Sequence, residues 1–195
     1  MNKKICAWAA HTHPDYVTYH NEEWGVPVHE DRVHFEFLTL EGAQAGLSWR
    51  TILNKRGGYR DAFADFDVRL ISKFTSSYLE SMIKNPNIVR NRLKITSVFE
   101  NAKAFIQIQR DFGSFDVYVW SFVNYQPIQG AWHAKKESPP SQTNISLKLS
   151  NDLKKRGFKF VGRTIMYSYM QAIGMVNDHS PECYRYQQIK ALKAS

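Results

Sequence analysis

Toward its C-terminal end the chain reads Leu153-Lys154-Lys155-Arg156-Gly157-Phe158-Lys159-Phe160-Val161-Gly162-Arg163-Thr164. A short apolar turn with a glycine at each end joins two stretches of helical spacing. Leu149 and Leu153 lie one turn apart before it, and Ile165, Tyr169 and Ile173 share a face after it. Gly162 precedes a helix whose first amides have no internal acceptors and can therefore hold an anion, with Lys159 and Arg163 adding charge beside them. A helix-hairpin-helix grips a DNA phosphate in this way without reading sequence. An ordinary helical hairpin with a solvated basic rim fits this segment equally well.

Working outward, helical periodicity continues. Asp31 to Ala45 reads as a helix stopped by Gly46, and Ser48 caps a short helix carrying Trp49, Ile52 and Leu53. Ser77 to Glu80 has capping-box spacing, and Asn85-Pro86 ends that helix. Asn91 to Phe112 is the longest helix expected, with Ile95, Val98, Ala102 and Ile106 on one stripe and Gly113 closing it. Ser114 to Val123 alternates as a strand would, yet no partner strand is visible, so it is read as helix. Ile128 to Asn144 reads as a long surface loop, Ser146 opens a helix to Arg156, and another runs from Thr164 to Ile173. The fold expected is all-α, one domain over residues 1–195.

Composition limits the function classes. The 195 residues carry a formal charge of +8, which points to a polyanionic partner. No apolar run approaches the ~20 residues needed to cross a bilayer, so no membrane partner is expected. The basic N-terminus leads to His11–Asp15 rather than to an apolar stretch, which argues against a secretory signal and for a cytoplasmic protein. Aromatic residues make up 14%, and Trp8, Tyr16, Tyr19, Trp24 and Trp49 cluster early. Basic charge beside aromatic faces suits a reader of nucleobases, although the ordinary fate of a lone tryptophan is core packing.

Two cysteines, Cys6 and Cys183, stand at opposite ends of the chain, and a disulfide is not expected. With His20 and His179 they offer two thiolates and two imidazoles, the donor set of a closed structural Zn2+ site that would clasp the termini together. His11 and His13 rival His20 by proximity to Cys6. His29, His34 and His133 read as solvated surface residues.

Taken together the segments resemble the 3-methyladenine DNA glycosylase I family, within the helix-hairpin-helix superfamily of base-excision repair enzymes. The likeness is carried by Tyr19-His20-Asn21-Glu22-Glu23-Trp24-Gly25-Val26-Pro27 and Leu40-Glu41-Gly42-Ala43-Gln44-Ala45-Gly46-Leu47-Ser48-Trp49. Val119 to Asn124, Lys154 to Gly162 and Asn177-Asp178-His179 complete it in the family's order. Departures lie in the 128–144 loop, between Cys6 and Trp8, in a longer His11–Asp15 linker, and after Cys183.

The resemblance implies that Cys6, His20, His179 and Cys183 hold one structural zinc. It implies that Glu41 sits in a base pocket walled by Trp8, Tyr16, Tyr19 and Trp49. It also implies that the hairpin, through Lys159, Gly162, Arg163 and Thr164, holds the DNA backbone. Leu47, beside Trp49, is a candidate wedge into the duplex.

The activity implied is release of free 3-methyladenine from alkylated double-stranded DNA by a monomer, leaving an abasic site. Such a purine is cationic while bound to deoxyribose, so its leaving needs no strong general acid. Stacking on aromatic faces and acceptance of its N–H groups by an ionised Glu41 would select it. The helix after the hairpin holds neither an acid nor a lysine, so Schiff-base strand cleavage is not expected. Two rivals stand beside this reading. One is a non-catalytic lesion-binding module, and the other is a zinc hydrolase, against which four protein ligands on one metal already count.

Overall fold

The computed structural model describes residues 3–130, 132 and 139–192. Ten α-helices are found among them: α1 Pro14–Glu22, α2 Asp31–Gln44, α3 Trp49–Ala62, α4 Val68–Ile71, α5 Ser76–Lys84, α6 Arg92–Phe112, α7 Phe115–Trp120, α8 Asn144–Lys155, α9 Arg163–Ala172 and α10 Tyr184–Ala191. The chain is thus mostly helical.

The helix α2 is the axle. Every residue from His34 to Ala43 is buried, and α3, α6, α7 and α9 all pack against it. A helix buried all round must satisfy its polar members locally. Glu36, 2% exposed, accepts from Arg56 and Arg60 on α3, at 2.8 Å each. Arg56 also grips Glu23 through two bonds of 2.9 and 2.7 Å. Burial alone would raise the Glu36 carboxyl, but the two guanidinium groups outweigh it and hold it below its ordinary range.

The hairpin is a packed unit. Phe158 and Val161 are buried, and Asn101 on α6 accepts from the Lys159 amide at 2.8 Å while donating to the Lys159 carbonyl at 3.0 Å. Ser150 donates to the Val161 carbonyl at 2.6 Å. The turn also presses on α2, since a Cβ at Gly42 would lie 3.2 Å from that of Phe160.

Several expectations are corrected. The 128–144 segment is not all loop. Ile128–Gln129 (β1) pairs in parallel with Val176–Asn177 (β2), Ile128 opposite Val176 and Gln129 opposite Asn177. Two-residue strands carry no readable alternation, so the sequence gives no sign of them. The α5 helix is capped by Thr75, whose hydroxyl accepts the Tyr78 amide, and not by Ser77. The capping box of α8 pairs Thr143 with Ser146, so the helix begins at Asn144 rather than at Ser146. Gly162 is the N-cap of α9, one residue earlier than read. His34 is fully buried: its Nδ1 meets the Tyr169 hydroxyl at 2.8 Å and its Nε2 meets Asp116 at 3.0 Å. His29 shares Asp116 at 3.1 Å. His133 lies outside the described residues.

Candidate active site and metal centre

A cavity of about 1160 Å³ opens between the N-terminal segment, α1, the end of α2 and the start of α3. Trp8, Tyr16, Tyr19, Trp24 and Trp49 line it, and Glu41 stands among them. The rings meet edge-on or tilted rather than stacked on one another. Trp8 and Tyr16 are 5.5 Å apart at 78°, and Tyr19 and Trp49 are 5.3 Å apart at 51°. Trp24 was not expected among the walls and lies 4.9 Å from Trp8. The Trp49 indole nitrogen is buried without a partner.

Glu41 is the anomaly of the site. It is 4% exposed, and unlike Glu36, five residues earlier on the same helix, it has no cation or hydrogen-bond donor among the described residues. Burial pushes its carboxyl up to about 8. Burial, and after it the Glu41 charge, raises the phenols of Tyr16 and Tyr19, so both keep their protons as donors. A buried acid without a partner is costly to the fold, and such groups concentrate where a ligand completes them.

The end of α2 is fixed from outside the helix. Lys94 on α6 donates to the carbonyls of Ala43 at 2.8 Å and Ala45 at 2.6 Å, so a cation satisfies orphaned C-terminal carbonyls. Beyond it Gly46, at φ +77°, turns the chain and presents Leu47, 41% exposed. Replacing Lys94 by Met should lower the melting temperature. Losing bonds from a charged donor costs about 2 kcal/mol, or roughly 4–8 °C for a chain of this size. Thermal denaturation of the two proteins checks this.

Of the hairpin residues expected to hold DNA, Lys159, Arg163 and Thr164 are exposed and Gly162 is half-buried. The α9 helix contains no Asp, Glu or Lys. Asp178 also lines the cavity, a position the sequence reading left unused. It accepts from Tyr167 at 2.6 Å, Gln171 at 2.8 Å and Trp132 at 3.1 Å. Its neighbourhood explains Gly130, where a Cβ would stand 2.0 Å from the Asp178 carboxylate.

Behind Trp8 and Trp24 lies a buried cluster of Cys6, His20, His179 and Cys183, whose ligand atoms all fall within 4.8 Å of one another. Sulfur and nitrogen are separated by 3.6 Å for Cys6–His179, 3.5 Å for Cys183–His20 and 3.6 Å for Cys183–His179. A tetrahedral ion with metal–sulfur bonds of about 2.3 Å and metal–nitrogen bonds of about 2.0 Å needs edges of about 3.5 Å. The outward ring nitrogens are also held: Nδ1 of His20 by the Asn21 side chain and Nε2 of His179 by the Trp24 carbonyl, each at 2.9 Å. These second contacts turn Nε2 of His20 and Nδ1 of His179 toward the two sulfurs. A hydrogen bond between the thiols raises Cys6 and lowers Cys183. The donor set and its spacing fit a metal ion.

Residues 8–186 match the family model described as methyladenine glycosylase. The chain belongs to this family. It is 44% identical over 181 residues to DNA-3-methyladenine glycosylase 1 of Escherichia coli (strain K12), covering 93% of this chain and 96% of that protein. Among solved structures, a crystal structure of 3-methyladenine DNA glycosylase I matches with a TM-score of 0.87 and 44% identity, over 93% of this chain and 98% of that one. A variant of a 3-methyladenine DNA glycosylase I in complex with 3-methyladenine matches with a TM-score of 0.87 and 34% identity, over 94% and 97%.

The membership agrees with the mostly helical fold. No helix among the described residues is long and apolar enough to cross a membrane.

Proposed function

We propose that this chain excises 3-methyladenine from alkylated double-stranded DNA by hydrolysing the N-glycosidic bond, leaving an abasic site. The observation that carries the reading is Glu41, a partnerless buried carboxyl at the end of an aromatic cavity in a methyladenine glycosylase. A purine methylated at N3 is a cation while attached to deoxyribose, and its aberrant pairing lowers the cost of flipping it from the stack. Trp8, Tyr16, Tyr19 and Trp49 receive it, because indole and phenol faces attract a cationic ring more than a neutral one. Ionised Glu41 accepts from its exocyclic amine and attracts the positive charge of its ring, gaining the partner the apo protein lacks.

Cleavage leaves the C1′–N9 electron pair on the purine, which departs neutral. Water adds to C1′ of the sugar cation and gives up a proton to solvent. Lys159, Gly162, Arg163 and Thr164 hold the backbone, and Leu47 fills the space the base has left. The protein works as a monomer on DNA in the cytoplasm.

Cys6, His20, His179 and Cys183 hold a Zn2+ whose chemistry here is structural. Four protein ligands leave no position for water, so the ion ties the N-terminal segment to the His179–Cys183 turn behind the Trp8–Trp24 wall.

Incubation with methylated duplex DNA and chromatography of the released bases tests the activity. Free 3-methyladenine, with strands that break only on later alkali treatment, is the expected outcome. Binding without release would instead mark a lesion-binding module. Because the free protein must ionise Glu41, kcat/KM should rise with pH through a midpoint near 8, and that rise should be absent in Glu41→Gln.

A further inference from the structure

We propose that the cleft between the His11–His13 turn and the first turn of α3 binds a phosphodiester of the lesion-bearing strand, with Arg50 as its principal ligand. The proposal rests on the excision reading above. The cleft, of about 520 Å³, is lined by Trp8, His11, Thr12, His13, Tyr16 and Arg50. Three of these, Trp8, His11 and Tyr16, also line the base cavity, so a single aromatic rim separates the two spaces. A nucleotide whose base enters the cavity leaves its phosphates one sugar away, at that rim.

The charges around the cleft point the same way. Arg50 is exposed and has no hydrogen bond or ion pair among the described residues. Arg56 and Arg60, further along the same helix, are instead committed to Glu23 and Glu36. His11 is exposed, held in the left-handed region at φ +59°, and likewise makes no described contact through its ring nitrogens. The one acid beside the turn, Asp15, stands 3.3 Å from Nδ1 of His13, the nitrogen that accepts the Asp15 amide and so orders the turn. Thr12 spends its hydroxyl hydrogen on the Ala9 carbonyl at 2.7 Å, which fixes the turn. A planar, fork-shaped cation left without a carboxylate, next to a cavity for a flipped base, suits the two non-bridging oxygens of a phosphodiester.

The test uses a duplex containing a tetrahydrofuran abasic analogue, so that binding is read without catalysis, over 50–200 mM salt. Arg50→Ala should bind several-fold more weakly, and the slope of log K against log salt should fall in magnitude by about 0.9, the loss of one phosphate contact. Arg50→Lys should keep the slope, and the affinity of Arg50→Ala for free 3-methyladenine should match that of the unmodified protein. An unchanged slope in Arg50→Ala overturns the proposal, as does an equal loss of free-base affinity. Failure of the unmodified protein to release base sinks the excision reading instead, and the change in slope is measured independently of it.

Discussion

Replacing Glu41 by glutamine should lower base release from methylated DNA on the order of 100-fold, as expected for loss of hydrogen bonds to a charged acceptor, while making the protein more stable. The two effects have one cause. The folded carboxyl titrates at about 8 because burial opposes its charge, whereas in the unfolded chain it titrates near its ordinary value. Between those pH values the native state holds a proton that the unfolded state has released. Stability that is complete at pH 4 is therefore lost progressively as the pH rises toward 8, by up to about 1.4 kcal/mol per pH unit.

Glutamine does not titrate, so its advantage should be absent near pH 4 and largest near pH 8. The buried amide is itself short of partners, which trims the net gain to about 1–3 kcal/mol. Thermal melts at pH 5 and pH 8 check it: the melting temperatures should lie close together at the lower pH and several degrees apart at the higher. Equal melting temperatures at both would mean that Glu41 already has a partner in the free protein.

The second large effect is on the metal. A closed site of two thiolates and two imidazoles contributes about 10–16 kcal/mol of apparent binding energy in small zinc domains, comparable with the whole stability of an ordinary domain, about 5–15 kcal/mol. Removing Zn2+ from this protein with a strong chelator, or replacing Cys183 by Ala, should therefore cost fold and activity together. The melting transition should fall by tens of degrees or vanish, and elemental analysis of the unmodified protein should give one zinc per chain. A metal-free protein that keeps its melting temperature but loses base release would assign the ion to catalysis and refute the structural clasp.

These two acids show where a sequence becomes legible and where it stops. Glu36 and Glu41 belong to one helix that periodicity places well, and both are buried. Their opposite electrostatics depend on Arg56 and Arg60 reaching Glu36 from the following helix while nothing reaches Glu41. No local pattern encodes that difference. His34 reads as surface because its partners, Asp116 and Tyr169, lie 82 and 135 residues away. The metal cluster is half-legible. Cys6 and Cys183 stand out as the chain's two cysteines, but selecting two of seven histidines took family likeness and then the 3.5–3.6 Å contacts of the folded chain.

Caps misled for a simpler reason. Runs such as Thr75-Ser76-Ser77 and Thr143 to Ser146 hold several residues able to cap, and the competition is decided by the path of the preceding chain. The hairpin itself was readable because glycine, apolar turn and amphipathic flanks agree at every level.

The central claim is that Glu41 and the aromatic walls form one receptor for a methylated purine. Titrating the protein with 3-methyladenine while following the fluorescence of the tryptophans that line the cavity, Trp8, Trp24, Trp49 and Trp132, tests this most directly. The account predicts saturable quenching by 3-methyladenine, far weaker quenching by adenine, and at least about tenfold weaker binding to Glu41→Gln. Equal affinity of the glutamine variant, or of adenine, would contradict it.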